Sequence, residues 1–184
     1  MKKLLILINC LILLLTVVSP IAYAEEGEAG VKTKNGYYDI EAPDYETEIA
    51  LLVNADTDTV IYSKNADKIT APASLTKVVT AMVVLSECTN LQKEITCSYD
   101  AVHSLDGTGS SIAGLMADEV VPLEMLLFCL FLPSANDAAQ VLAEEFGGGD
   151  ADDFVVKMNE LVKKLGCKNT YCANAHGLDD ESVA

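Results

Sequence analysis

Ser74 and Lys77 stand three residues apart in Pro72-Ala73-Ser74-Leu75-Thr76-Lys77, at the entrance to an apolar stretch that runs from Leu75 to Leu85. On a helix that spacing puts both side chains on one face, within reach of each other. A serine hydroxyl is a weak nucleophile at neutral pH. An amine beside it, with its pKa lowered by desolvation, can take its proton. The start of a helix adds main-chain N–H groups and a partial positive charge, which suit a developing oxyanion. The plainer reading makes Ser74 a helix cap and Lys77 a solvated surface residue whose stem crosses apolar ground. Against it, the helix is too apolar to leave a lysine freely hydrated, and a buried lysine needs a partner or a changed charge state.

A second cluster, Ser134-Ala135-Asn136, follows Pro133 and brings a hydroxyl and a carboxamide to a break between two helices. The competing reading is a cap, because Asp137 follows Ser134 by three residues. The elements that position these groups can be read from pattern. Val78, Val79, Met82, Val83 and Val84 make the Leu75–Leu85 helix apolar around nearly its whole circumference, which predicts burial on all sides. Pro122 starts a second apolar helix over Leu123–Leu132 that must stop before Pro133. Helices over Asn136–Phe146 and Asp152–Leu165 end at Gly147 and Gly166. Upstream, Ile49–Val53 and Thr59–Tyr62 around Asp56-Thr57-Asp58 have the composition of an antiparallel hairpin. Lys93–Tyr99 reads as a short strand, and His103–Gly114 as a Gly/Ser-rich loop able to skirt a cleft.

The N-terminus carries Lys2 and Lys3, an apolar run from Leu4 to Leu15, and Ala22-Tyr23-Ala24, the order of a secretory signal peptide ending at residue 24. The run is too short for a spanning helix, which needs roughly 20 apolar residues. Export to the cell wall or periplasm is the expected outcome. Residues 25–45 are acidic and poor in branched aliphatics, a mobile leader before a single folded domain over 46–184. Cleavage removes two of the 12 basic residues, all lysine, leaving 10 against 28 acids, a net charge of −18. That charge excludes nucleic acid as a partner. Five cysteines remain, Cys88, Cys97, Cys129, Cys167 and Cys172, and an odd number leaves at least one thiol unpaired. Cys129 sits in an apolar run and reads as a small buried hydrophobe, while Cys88 with Cys97 and Cys167 with Cys172 could form local bridges. No tight Cys-x-x-Cys or His-x-x-x-His spacing calls for a metal, and no cofactor is expected.

Taken in order, the hairpin Leu51–Asp56, Pro72–Lys77, Gly109-Ser110-Ser111, Leu132–Ala139 and Asn174-Ala175-His176-Gly177-Leu178 resemble the D-alanyl-D-alanine carboxypeptidases. These are the low-molecular-mass penicillin-binding proteins among the β-lactamase/transpeptidase-like serine hydrolases. The resemblance covers about residues 46–180. It implies an α+β fold, a helical subdomain plus the N-terminal hairpin of an antiparallel sheet. It implies that Ser74 attacks the terminal D-Ala-D-Ala bond of a peptidoglycan stem peptide, Lys77 is the general base, Ser134 relays a proton to the departing D-alanine, and Asn136 binds the lysine or the substrate amide. β-Lactams would acylate the same serine. His176 has no chemical role in that pattern and reads as structural.

The pattern is incomplete. The family's Lys-Thr-Gly strand does not occur after Asn136, nor do the later sheet strands, so the chain reads as a C-terminally truncated piece of a longer enzyme. Membrane association would come only through a C-terminal region absent from it. Two alternatives share these residues: a β-lactamase of the same superfamily, which usually needs an added glutamate to activate water, and a non-catalytic cell-wall-binding protein that kept the helical half of the fold.

Overall fold

The computed structural model describes residues 46–179; the predicted signal peptide and the whole of the predicted leader lie outside them. The described residues fall into two compact units that divide between Lys68 and Ile69. The described part of the first is a hairpin. Strand β1 (Ala50–Asn54) pairs antiparallel with β2 (Thr59–Lys64), Ala50 opposite Lys64, with an irregularity between Leu52 and Val53. Its turn is held by Asn54, whose Oδ1 accepts from the N–H groups of Asp56 and Thr57 at 2.9 and 3.1 Å. That Asx arrangement, followed by Asp58 at φ 50°, is how a turn without glycine reverses the chain. Glu48 anchors the hairpin's base, its carboxylate paired with Lys68 and its carbonyl accepting from Asn65 Nδ2.

The second unit is helical. A 3₁₀ turn over Ala73–Leu75 leads into α1 (Thr76–Glu87). Strand β3 (Glu94–Thr96) pairs antiparallel with β4 (Val120–Pro122), Ile95 opposite Val121, and α2 (Tyr99–His103) follows β3. Three helices complete it: α3 (Leu123–Phe131), α4 (Asn136–Gly147) and α5 (Ala151–Lys164). Asp150 caps α5 by accepting from the N–H of Asp152, and Gly148 ends α4 at φ 79°, a left-handed position that a side chain would strain. Gly147 passes so close to Phe154 that a Cβ there would lie 3.1 Å from its nitrogen, which lets α4 and α5 turn tightly on each other. Val84, Leu123, Leu126, Leu130, Leu142, Phe154 and Met158 are fully buried and form the centre of the core.

Four expectations need correcting. Helix α1 is not buried on all sides among the described residues: Leu75, Val78, Met82 and Leu85 form an exposed stripe, while Thr76, Lys77, Thr80, Ala81, Val83 and Val84 face the core. Apolar composition announced burial but not which neighbour would supply it. The strand expected over Lys93–Tyr99 is shorter, because Ser98 caps α2 by accepting from the N–H of Ala101. Part of the predicted loop, His103, accordingly belongs to that helix. Cys129 is only half-buried against the core, and all five described thiols are free.

Candidate active site

The N-terminal turn of α1 carries the centre of the site. Lys77 is 2% exposed, and its Nζ donates to Asn136 Oδ1 at 2.6 Å, to the main-chain carbonyl of His176 at 2.8 Å and to Ser74 Oγ at 3.2 Å. Ser134 Oγ donates to Ser74 Oγ at 2.9 Å. The four residues singled out from sequence, Ser74, Lys77, Ser134 and Asn136, therefore form one connected cluster. All three oxygens around the ammonium belong to neutral groups, and no ion pair among the described residues includes Lys77. Burial without a counter-charge pushes its pKa below the ordinary 10.5.

The plainer readings fail on geometry. The cap residue of α1 is Leu75, and that of α4 is Ala135, each without a side-chain hydrogen bond to the helix. Ser74 and Ser134 point their hydroxyls at each other instead of at helix N–H groups. Ser134 itself lies in the left-handed region at φ 57°, as does Ala73, the residue just before Ser74, at φ 48°. Left-handed conformations cost non-glycine residues on the order of 1–3 kcal/mol and persist where surrounding contacts over-determine them.

The surrounding contacts come partly from a segment that sequence reading marked only as a landmark of the resemblance. In Asn174–Leu178, Asn174 Oδ1 accepts from the N–H groups of His176 and Gly177, and its Nδ2 donates to Leu178 O. This folded turn is fastened to α1 twice, by Lys77 on His176 O and by Thr80 Oγ1 on Ala175 O at 2.6 Å. Gly177, at φ 85°, passes so near Ala73 that a Cβ would come within 1.9 Å of its carbonyl oxygen. Only glycine fits between the turn and the residue preceding Ser74. The His176 ring is buried, accepts at Nδ1 from the N–H of Leu178, and has its pKa pushed down to about 4 by burial and then by the charge of Lys77. The expectation that the His176 side chain is structural agrees with this neutral ring. What sequence reading missed is the carbonyl, because a main-chain acceptor has no residue-type signature. Among the described residues, no group of three or more His, Cys, Asp or Glu side chains could hold a metal ion.

A helical unit built around a Ser-x-x-Lys turn, faced by a Ser-x-Asn segment, defines the β-lactamase/transpeptidase-like serine hydrolase fold. Solved structures agree: the Streptomyces K15 DD-transpeptidase superposes with a TM-score of 0.73 at 30% identity, covering 77% of this chain and 56% of that one. The D-alanyl-D-alanine carboxypeptidase DacD from Francisella tularensis gives 0.69 at 31%, covering 75% and 33%. The chain belongs to the D-alanyl-D-alanine carboxypeptidase family S11, whose profile matches residues 38–184. Curated relatives include DacF of Bacillus subtilis, 32% identical over 137 residues, and DacA of Escherichia coli K12, 35% over 143. Each comparison covers 74% of this chain but only 35% of the relative, so the chain spans about a third of their length. The match begins at residue 38, inside the segment predicted to be a leader.

Proposed function

We propose that the protein is an exported serine-type D-Ala-D-Ala carboxypeptidase that removes the terminal D-alanine from peptidoglycan stem peptides. The observation that carries this reading is a buried lysine without a counter-charge, its Nζ 3.2 Å from Ser74 Oγ. In the neutral form, Lys77 accepts the Ser74 proton as Oγ attacks the carbonyl carbon of the D-Ala-D-Ala bond. Ser134, 2.9 Å from Ser74 Oγ, gives its hydroxyl proton to the departing amine and is reprotonated by the Lys77 ammonium, and D-alanine leaves while Ser74 carries the acyl group as an ester. Water then adds to the ester, the acyl–Oγ bond breaks, the shortened peptide leaves as a carboxylic acid, and a water proton returns to Ser74 Oγ. Asn136 holds Lys77 in place and offers its amide to the substrate. A β-lactam enters by the same attack, but its opened ring stays attached to the acyl group.

Names of relatives support the substrate class, and the predicted signal peptide supports action outside the cytoplasm. The test is covalent labelling of the full-length protein with a fluorescent penicillin. Wild type should label, and Ser74→Ala should not. Label that survives Ser74→Ala would remove Ser74 as nucleophile. Penicillin turnover much faster than D-Ala-D-Ala peptide turnover would redirect the reading to a β-lactamase.

A further inference from the structure

Asp137 adjoins the cluster, and its carboxylate hydrogen-bonds to main-chain N–H groups, not to the cluster's side chains. It is 2% exposed and uses both carboxylate oxygens on main-chain N–H groups. Oδ2 accepts from Ala113, Gly114 and Leu115 at 3.1, 3.0 and 3.1 Å; Oδ1 accepts from Ala113 at 2.9 Å and from Ala138 at 2.8 Å. Three consecutive N–H groups converging on one oxygen form an anion-binding concavity, and Gly114 at φ 79° supplies the left-handed residue that turns them inward. Two more bonds tie the same loop to the residues around Ser134. Asn136 N–H donates to Ser111 O at 2.8 Å, and Ser111 Oγ donates to Pro133 O at 2.6 Å. Loop 111–115 and segment 133–137 are thus laced together on both sides of Ser134 and Asn136.

We infer that Asp137 is a positioning residue: by holding the loop over Ser111–Leu115 against the start of α4, it fixes Ser134 and Asn136 at their working distances from Ser74 and Lys77. This rests on the function proposed above. The left-handed backbone of Ser134 is what needs such a clamp, since a segment free to relax would leave that conformation. The requirement is for a carboxylate and not merely for volume. The carboxamide of Asp137→Asn has nearly the same shape. Whichever way it is turned, however, its NH₂ meets N–H donors, either those of Ala113 and Ala138 or those of Gly114 and Leu115.

The test is the second-order rate of acylation by a fluorescent penicillin, measured on full-length folded protein. Asp137→Asn should acylate about 10- to 100-fold more slowly, the scale of a misplacement near 1 Å. The double variant with Asn136→Ala should lose less than the product of the two single losses, because the part of the Asp137→Asn loss that acts through Asn136 is already gone and only the part through Ser134 remains. A merely structural role would instead multiply the two losses, and that result, or Asp137→Asn within twofold of wild type, overturns the inference. Wild type that takes no label removes the reading of Ser74 and this inference with it; labelled wild type with an indifferent Asp137→Asn removes this one alone. Should Asp137→Asn fail to fold, hydrogen exchange on wild type decides. The amides of Ala113, Gly114 and Leu115 should be protected like those of α4, and exchange as fast as in the Gly107–Gly109 loop would sink the proposal.

Discussion

Lys77 and Lys93 are the same side chain in opposite circumstances. Lys93 is about a third exposed, its Nζ 2.6 Å from Glu145 Oε1 and 4.9 Å from the centre of the Phe146 ring, and its pKa is raised, chiefly by the Glu145 hydrogen bond. Lys77 is buried among neutral oxygens, and its pKa is lowered by desolvation. The number of hydrogen bonds is not the difference, since Lys77 has three acceptors. What separates them is burial, together with a charged acceptor that Lys93 has and Lys77 lacks. A lysine with a carboxylate is a lasting cation, whereas one surrounded by an amide, a main-chain carbonyl and a hydroxyl can lose its proton, as the proposed base must.

The comparison breaks if Lys77 is given what Lys93 has. Asn136→Asp places a carboxylate where Oδ1 now sits 2.6 Å from Nζ, so it should raise the Lys77 pKa and hold it as an ammonium. Penicillin acylation near pH 7 should fall on the order of 100-fold, a general-base-sized loss, and recover as pH rises. The acid limb of the pH–rate profile, which in wild type should lie below the ordinary lysine value, should move upward. Asn136→Ala should slow acylation without that upward movement, which separates lost positioning from added charge. Identical profiles for the Asp and Ala variants would show that charge at this position is irrelevant.

Much of this arrangement was legible because its signals are local. Leu123–Leu132 and Asn136–Phe146 were each expected within one residue of the observed helices, since Pro133 and Gly147 mark ends through their own backbone restrictions. Ser74 and Lys77 were legible together because helical spacing joins them. What brings Lys77 to His176 O, 99 residues away, has no such local mark. The same holds for Thr80 on Ala175 O and for Asp137 on three loop amides. The strand β4 was missed because three residues carry too little alternation to register. The exposed stripe of α1 shows the converse: its composition was read correctly, but periodicity could not say that one face would lack cover among the described residues.

His176 sharpens the comparison through stability. Its pKa falls from the ordinary 6.5 in the unfolded chain to about 4 in the folded one, so between those values the unfolded state binds more protons. Stability should therefore be full above pH 6.5, decline as pH falls through this window, and level off below about pH 4. The gap amounts to roughly 3 kcal/mol at most. His176→Gln keeps an acceptor for the Leu178 N–H and removes the titration. Urea unfolding from pH 4 to 7 should show wild type losing stability relative to this variant as the solution is acidified. Parallel curves would mean that the ring charges without cost, and that the pocket around Lys77 is wetter than the geometry implies.

The smallest effect is expected where the counter-charge already exists. Lys93 and Glu145 are each about a third exposed, with side-chain accessibilities of 38% and 32%, so water screens their attraction. Lys93→Met keeps an apolar stem beside Phe146 and removes only the cation. It should cost at most about 1 kcal/mol in urea unfolding and leave penicillin acylation within about twofold of wild type. A large loss of acylation from Lys93→Met would mean that this distant pair is coupled to the cluster at Ser74. The contrast between the two lysines would then describe one network, not two independent settings of the same side chain.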